Sequence, residues 1–186
     1  MKAIMQPASG CILVSEPSLT DRFFARSVVL LAEHDKEGSF GLIINKPSEI
    51  RLSQITDEFP GFDPYLYLGG PVKVENLYFI HTKGDLIEGS LKILDGLYWG
   101  GNVSAVKELI HTRQITEKDI RFFIGYAGWQ PRQLEKELSE NAWLVLSTSV
   151  EDVFKVNTET VWRKILISMG DDYAPWVNYP DDPQMN

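Results

Sequence analysis

The order in which two hydrophobic periodicities appear along the chain constrains its fold most. Short runs of β-branched and aromatic residues, the pattern of strands, come first, at residues 12–15, 27–33 and 40–45. Apolar residues at helical spacing become prominent only from about residue 103. A doubly wound parallel sheet would need strands and helices to alternate from the start. The sequence therefore predicts an α+β fold with a largely antiparallel or mixed β-sheet.

The same pattern predicts further strands and one tight turn. Four more strand-like runs occupy residues 77–81, 87–93, 120–126 and 142–147. Residues 35–38, Asp-Lys-Glu-Gly, connect two of the early runs. An acidic, glycine-ended connection of this kind is typical of a β-hairpin.

About three main helices are expected to pack on the sheet. The first covers residues 103–110 and has Asn102 in position to cap its start. The second begins at Pro131, because proline suits the first helical position. The third covers residues 161–169 and ends at Gly170.

The length of 186 residues suits one domain with a substantial core. We predict a single domain over residues 1–186, with residues 171–186, rich in Asp, Pro and Asn, as a loosely held acidic tail. Trp143 and Trp162 lie on the apolar sides of their predicted elements and are expected to be buried. Cys11 is the single cysteine, which favours a reducing compartment. No apolar run is long enough to cross a bilayer, so we expect a cytoplasmic protein without membrane contact.

Charge and motifs limit the classes of partner. The formal net charge is −8 and no basic stripe is present, so direct nucleic-acid binding is not expected. The sequence contains neither GxxxxGK[ST] nor GxGxxG, the loops that hold nucleotide phosphates. CxxC spacings are absent as well. We therefore expect no cofactor and no metal, and an unknown protein or small molecule as the partner.

Two histidines are candidate site residues. His34 stands between Glu33 and Asp35 at a predicted strand end. Adjacent strand residues point to opposite faces, so these three would not share a metal ion. His34 would then either contribute to a ligand site or hydrogen-bond within its hairpin. His81, at the end of the run 77–81, is the second candidate.

Two turns supply the other candidates. Asn45 and Lys46 follow a predicted strand and precede a proline, and they could orient an anionic or carbonyl ligand. Alternatively, Asn45 caps the strand end and Lys46 is solvated. Gly69 and Gly70 could bring backbone N–H groups to a ligand, or could simply allow a tight turn. Residues 125–129 form a glycine-containing segment that we interpret as the turn before the second helix.

Strand geometry predicts that these candidates form two sites. His34 lies near the hairpin turn, whereas Asn45 lies at the far end of the returning strand. A strand pair about six residues long separates such ends by roughly 20 Å. Asn45 and Lys46 should therefore join the glycine turn, with His34 apart.

Several segments carry a family resemblance when taken together. Residues 23–47 read FFARSVVLLAEHDKEGSFGLIINKP. Further motifs follow in order: Gly69-Gly70-Pro71, Phe79-Ile80-His81-Thr82, Gly125-Tyr126-Ala127 with Trp129, Gln133-Leu134-Glu135, Asn141-Ala142-Trp143-Leu144, and Trp162. In this order they resemble the YqgE/AlgH family. Arg132 departs from the pattern, since a glycine is expected there.

The resemblance implies an uncharacterised bacterial family with an α+β fold. It also implies a proposed regulatory role, often given as a transcriptional-regulator label, and brings no established catalytic residues. A regulatory or binding module acting through protein or small-ligand contacts is the first hypothesis. An enzyme with a polar cleft formed by His34, Asn45, Lys46 and His81 is the alternative. A regulator that binds DNA directly comes third.

Overall fold

A computed structural model describes residues 5–19, 21, 23–155 and 157–179. The strands are β1 (Cys11–Ser15), β2 (Val28–Asp35), β3 (Gly38–Ile43), β4 (Pro47–Arg51), β5 (Tyr65–Leu68), β6 (Val72–His81), β7 (Leu91–Leu94), β8 (Leu97–Trp99), β9 (Ile120–Trp129) and β10 (Trp143–Ser147). The α-helices are α1 (Val103–His111), α2 (Gln133–Ser139), α3 (Val150–Phe154), α4 (Val161–Met169) and α5 (Ala174–Val177). The predicted α+β class is confirmed, with more helices than the three expected.

All ten strands belong to one mixed, mainly antiparallel sheet. Its order is β10-β1-β2-β3-β9-β6-β8-β7, and β5 joins β4 to β9. The pairing of β5 with β9 is parallel, and the other pairings are antiparallel. The early hairpin is β2–β3, in which His34 pairs with Ser39 and Asp35 with Gly38.

Strand β9 lies in the middle of the sheet, and one of its edges pairs with two different strands along its length. Its last residues pair with β3, whereas Phe123 and Ile124 pair with β5. Between these halves, Gly125 has a φ of 66°. A β-carbon there would lie 2.5 Å from the Gly70 carbonyl oxygen, so this crossing requires glycine.

The sheet curls until its far strand meets β2. The Ser9 hydroxyl lies 2.6 Å from the carbonyl oxygen of Ala32 and 3.2 Å from that of Ile93, which connects β2 with β7. Three apolar clusters follow from this shape: one inside the curl under α4, one under α2 and one under α1. Trp143 and Trp162 are each 4% exposed, as predicted.

Helix ends mostly follow local capping chemistry. The side chain of Asn102 accepts hydrogen bonds from the backbone N–H groups of Ser104 and Ala105, as its predicted capping role requires. Helix α4 ends at Gly170 as predicted. Helix α2 begins at Gln133 rather than Pro131, because Arg132 before it has a φ of 64°, outside the helical region.

Two further local predictions were wrong. Residues 87–93 do not form one strand, since Gly89 has a φ of 76° and the Ser90 hydroxyl donates to the Ile87 carbonyl in a turn. Residues 125–129 belong to β9 rather than to a turn before a helix. Within the described residues, no helix combines the length and apolar character needed to cross a membrane.

The acidic C-terminal segment is described in part. Residues 171–173 form a 3-10 turn that leads into α5, whose Val177 is buried in the inner core. Residues 180–186 of the predicted tail lie outside the described residues. The single-domain division and the loosely held tail remain predictions.

Candidate functional site

Asn45 is occupied by internal hydrogen bonds. Its side-chain oxygen accepts from the Val28 backbone N–H at 2.8 Å, and its amide nitrogen donates to the Arg26 carbonyl at 3.0 Å. These bonds hold the end of β3 against the start of β2. This geometry matches the alternative in which Asn45 caps the end of its strand instead of binding a ligand.

Lys46 and the glycine turn lie together through their backbones. The Lys46 carbonyl accepts from Leu68 N–H at 2.9 Å, and the Gly69 carbonyl accepts from Ile43 N–H at 2.9 Å. Burial lowers the pKa of Lys46, and the charge of Asp21 partly offsets that effect. A β-carbon on Gly70 would lie 2.2 Å from the Tyr126 backbone, so this turn needs glycine to approach β9.

His81 is buried and fully hydrogen-bonded. Its Nδ1 accepts from the Lys83 backbone N–H at 3.2 Å, which places the proton on Nε2. Nε2 lies 3.0 Å from the Gly100 carbonyl and 3.1 Å from the Ser90 hydroxyl. Burial lowers the pKa of His81 despite the bond to Gly100, so the ring is neutral at physiological pH.

His34 and Asn45 lie at opposite ends of the β2–β3 hairpin. His34 Nδ1 contacts the Ser39 hydroxyl at 2.8 Å beside the turn, whereas Asn45 follows the other end of β3. The six candidate residues therefore do not assemble into one centre. The glycine turn and Lys46 lie together, while His34 and His81 have separate surroundings.

A different group of side chains forms an open cleft at the hairpin tip. This hairpin-tip cleft has a volume of about 340 Å³. Its lining residues are Glu33, Asp35, Glu37, Gly38, Ser39, Phe40, Val72, Tyr126, Gly128, Trp129 and Gln130. Glu33 pairs across the hairpin with Phe40, which in turn pairs with Gly128 on β9. The strand pairings thus bring carboxylates and aromatic rings to one face.

The aromatic wall of the cleft is a packed cluster. The Phe40 ring centroid lies 4.9 Å from that of Tyr126 and 4.7 Å from that of Trp99, on which it stacks. A β-carbon on Gly128 would approach the Tyr126 ring to 2.8 Å. The missing side chain at Gly128 therefore lets that ring lie across the strand beside Phe40.

The acidic wall keeps uncompensated charge. Glu33 and Asp35 are exposed, and among the described residues no cation forms an ion pair with either. Asp35 accepts from the Glu37 backbone N–H at 2.8 Å. Lys36 approaches Glu37 at 3.7 Å, but both side chains are highly exposed. Within the described part of the chain, no group of three or more His, Cys, Asp or Glu side chains could hold a metal.

Sequence reasoning missed the aromatic half of this cleft. Glu33 and Asp35 were considered only with His34, although alternation along a strand places them on the face opposite to it. Phe40, Tyr126 and Gly128 come from two strands far apart in sequence. The available signal was the pair of acids at alternating positions before a hairpin turn.

The family profile and the relatives found by comparison with known proteins match this chain over almost its whole length. The profile of the family described as AlgH-like matches residues 12–174. The UPF0301 protein CT0663 of Chlorobaculum tepidum is 39% identical over 183 residues, covering 98% of this chain and 97% of that protein. A UPF0301 protein of Cytophaga hutchinsonii is 42% identical over 178 residues, covering 95% and 98%.

Solved structures share the fold. The crystal structure of protein DIP2367 from Corynebacterium diphtheriae matches with a TM-score of 0.76 at 23% identity, covering 95% of each chain, which supports the fold alone. The solution structure of the AlgH protein from Pseudomonas aeruginosa matches with a TM-score of 0.72 at 28% identity, covering 97% of this chain and 98% of that one. The family profile and the relatives confirm the resemblance carried by the ordered motifs, and this chain belongs to the AlgH-like family.

Proposed function

We propose that this protein is a regulatory binding protein whose hairpin-tip cleft takes up a cationic side chain of a partner protein. One observation carries the proposal: the exposed carboxylates of Glu33 and Asp35 stand beside the rings of Phe40 and Tyr126 on one face of the sheet. Carboxylates and aromatic faces both attract a cation.

Arginine fits this chemistry better than lysine. Its planar guanidinium stacks on an aromatic face while its fork of N–H groups binds a carboxylate. A cation–π contact at an exposed site contributes about 0.5–1 kcal/mol, and an exposed ion pair about 0.2–1 kcal/mol. The cleft alone therefore supports only weak binding of a small cation.

A protein partner would add contact area next to the cleft. Val72 lines the cleft, and the following residues 73–76 of β6 are exposed. Val74 is 51% exposed on this segment. A partner that covers this strand while inserting an arginine would combine backbone and apolar contacts with the charge interaction.

The binding hypothesis is favoured over the enzyme alternative by the polar groups themselves. Asn45 and His81 have their side-chain atoms engaged in internal hydrogen bonds, and His34 lies away from Asn45. The net charge of −8 favours a basic protein over DNA as the partner. We propose the cytoplasm as the place of action, because the chain carries a single, buried cysteine.

A pair of isosteric probes tests the proposal. N-acetyl-arginine amide should cause saturable NMR shifts of the backbone amides of Glu33, Phe40 and Tyr126. N-acetyl-citrulline amide has nearly the same shape without the charge and should bind several-fold more weakly. The double variant Glu33→Gln with Asp35→Asn should abolish the difference, whereas Glu135→Gln on the exposed side of α2 should not. Equal shifts from both probes, or shifts located elsewhere, would contradict the proposal.

A further inference from the structure

A second cleft lies between helices α3 and α4 and the sheet. This α3–α4 cleft has a volume of about 510 Å³, within the range of small-molecule sites. Its floor consists of aliphatic side chains: Ile12 of β1, Val28 of β2, Ile44 after β3 and Ile165 of α4. None of these residues is more than 6% exposed. The floor therefore suits an apolar body, while the buried Thr148 hydroxyl, which also lines the cleft, has no hydrogen-bond partner among the described residues.

The α4 wall carries polar groups with unused hydrogen-bonding capacity. Val161 and Lys164 of α4 line the cleft, and so does Asn157, which precedes the helix and whose carbonyl accepts from the Val161 N–H at 2.9 Å. The Asn157 side-chain oxygen accepts from the backbone N–H and hydroxyl of Thr160, and its amide N–H₂ has no partner among the described residues. Within the same described part, Lys164 makes no ion pair. Two donors, one of them charged, are thus left on this wall.

The α3 wall differs from the α4 wall in charge. Its Lys155 is paired with Glu151 at 2.6 Å, and Asp152 lies beside them. Because Lys155 is already paired with Glu151, an anionic group would be attracted to Lys164 on the other wall. The cleft would therefore orient a bound anion, with its charged end toward the α4 wall and its apolar part on the floor.

A partly buried cation lies near the floor. Arg121 donates to the carbonyls of Val153 and Phe154 at 2.9 and 3.2 Å, and its Nη1 lies 3.5 Å from the carbonyl of Ile44. Among the described residues, no carboxylate lies within ion-pair distance of this guanidinium. Among the described residues, its charge faces carbonyl dipoles and two aromatic rings, those of Tyr67 and Phe154, whose centroids lie 4.4 and 5.5 Å from the guanidinium carbon. The field near the floor consequently favours an anion.

We propose that the α3–α4 cleft binds a small amphipathic carboxylate. Its aliphatic chain lies on the floor formed by Ile12, Val28 and Ile44. Its carboxylate meets the ammonium of Lys164 and the amide N–H₂ of Asn157 at the α4 wall. This site is separate from the hairpin-tip cleft and takes a ligand of opposite charge.

Octanoate is a suitable probe, with octanamide as the neutral control and butyrate as the short-chain control. Calorimetric titration of the full chain near physiological salt should show saturable octanoate binding, with octanamide and butyrate each binding several-fold more weakly. NMR shifts should map to residues 157–168 and not to residues 33–40. Equal affinity for octanamide, or octanoate shifts outside the cleft, would overturn the proposal.

Variants on one helix supply the matched test. Lys164→Gln should weaken octanoate binding about fivefold, typical of losing one exposed charge pair. Arg163→Gln, an exposed neighbour outside the cleft lining, should leave binding unchanged. Ser168→Trp, at an exposed lining position, should block the cleft without disturbing the core. Unaltered octanoate binding by a folded Ser168→Trp protein would show that the ligand lies elsewhere. Equal losses in the Lys164 and Arg163 variants would reduce the effect to overall charge and overturn the assigned carboxylate contact.

Discussion

Carboxylates meet aromatic side chains on both faces of strand β9, with opposite consequences. On one face, Glu137 of α2 accepts from the indole N–H groups of Trp129 and Trp143 at 2.8 and 2.7 Å. On the other face, Glu33 lies beside Phe40, and among the described residues no donor reaches it. The first carboxylate meets the N–H edges of rings, which bind it. The second stands beside an aromatic cluster that offers it no hydrogen bond and that would attract a cation.

This comparison separates a structural acid from a binding acid. Gln133 gives Glu137 a third hydrogen bond, at 2.9 Å to its other oxygen. Its carboxylate therefore connects α2 to the two tryptophans of the cluster beneath that helix. Glu33 and Asp35 make no such connection and keep their charge available at the surface.

The largest expected effect is a loss of folding stability when the structural acid, Glu137, is replaced. Glu137→Ala should lower the free energy of unfolding by about 2–4 kcal/mol, because two largely buried indole N–H groups lose their acceptor. Urea denaturation followed by tryptophan fluorescence measures this loss. Glu135→Ala, exposed on the same helix, is the control and should change stability by less than about 0.5 kcal/mol. Equal effects of the two variants would remove the distinction between structural and binding acids.

His81 is a second buried structural group, and its protonation should make stability depend on pH. Burial lowers the pKa of His81 in the folded protein below its value of about 6.5 in the unfolded chain. The unfolded state then binds more protons between the two pKa values, so stability should fall as pH drops through about 6.5. Urea midpoints between pH 8 and pH 5 should decrease more for the wild type than for His81→Gln. Parallel pH profiles would show that His81 makes no such contribution.

The smallest change in folding stability is expected when the binding acids, Glu33 and Asp35, are replaced. Glu33→Gln and Asp35→Asn should each change the free energy of unfolding by less than about 0.5 kcal/mol, because neither side chain has an ion-pair partner among the described residues. Thermal and urea denaturation of both variants measure the change. A loss above about 1 kcal/mol in either variant would place that acid in the structural class, with Glu137.

The β2–β3 hairpin and helices α1 and α4 were predictable because short-range chemistry specifies them. Asn102 and Gly170 end their helices through local capping and backbone conformation, which a few neighbouring residues encode. Two local predictions failed where glycine changed the outcome. Gly89 interrupts an alternating run with a turn, whereas Gly125 permits a close strand crossing that lies inside β9 rather than ending it.

The candidate sites were less predictable for the same physical reason. Asn45 and His81 looked available in sequence, yet tertiary partners engage their side-chain atoms. Whether a polar residue is free depends on which backbone groups the fold brings to it. In the three shortest hydrogen bonds to these two side chains, the partner residue lies 17 to 19 positions away in the sequence.

The sequence by itself determined the α+β class, the hairpin, the capped helices and the family, because periodicity, turn chemistry and ordered motifs are local or linear properties. Only the tertiary structure decided which residues share a cleft. Phe40 meets Tyr126 through the pairing of β3 with β9, and Ile12 and Val28 come to lie beneath α4 where the strands pass under that helix. These juxtapositions depend on strand register and on the curl of the sheet. Both are set by the packing of the entire apolar core, which acts between residues distant in sequence.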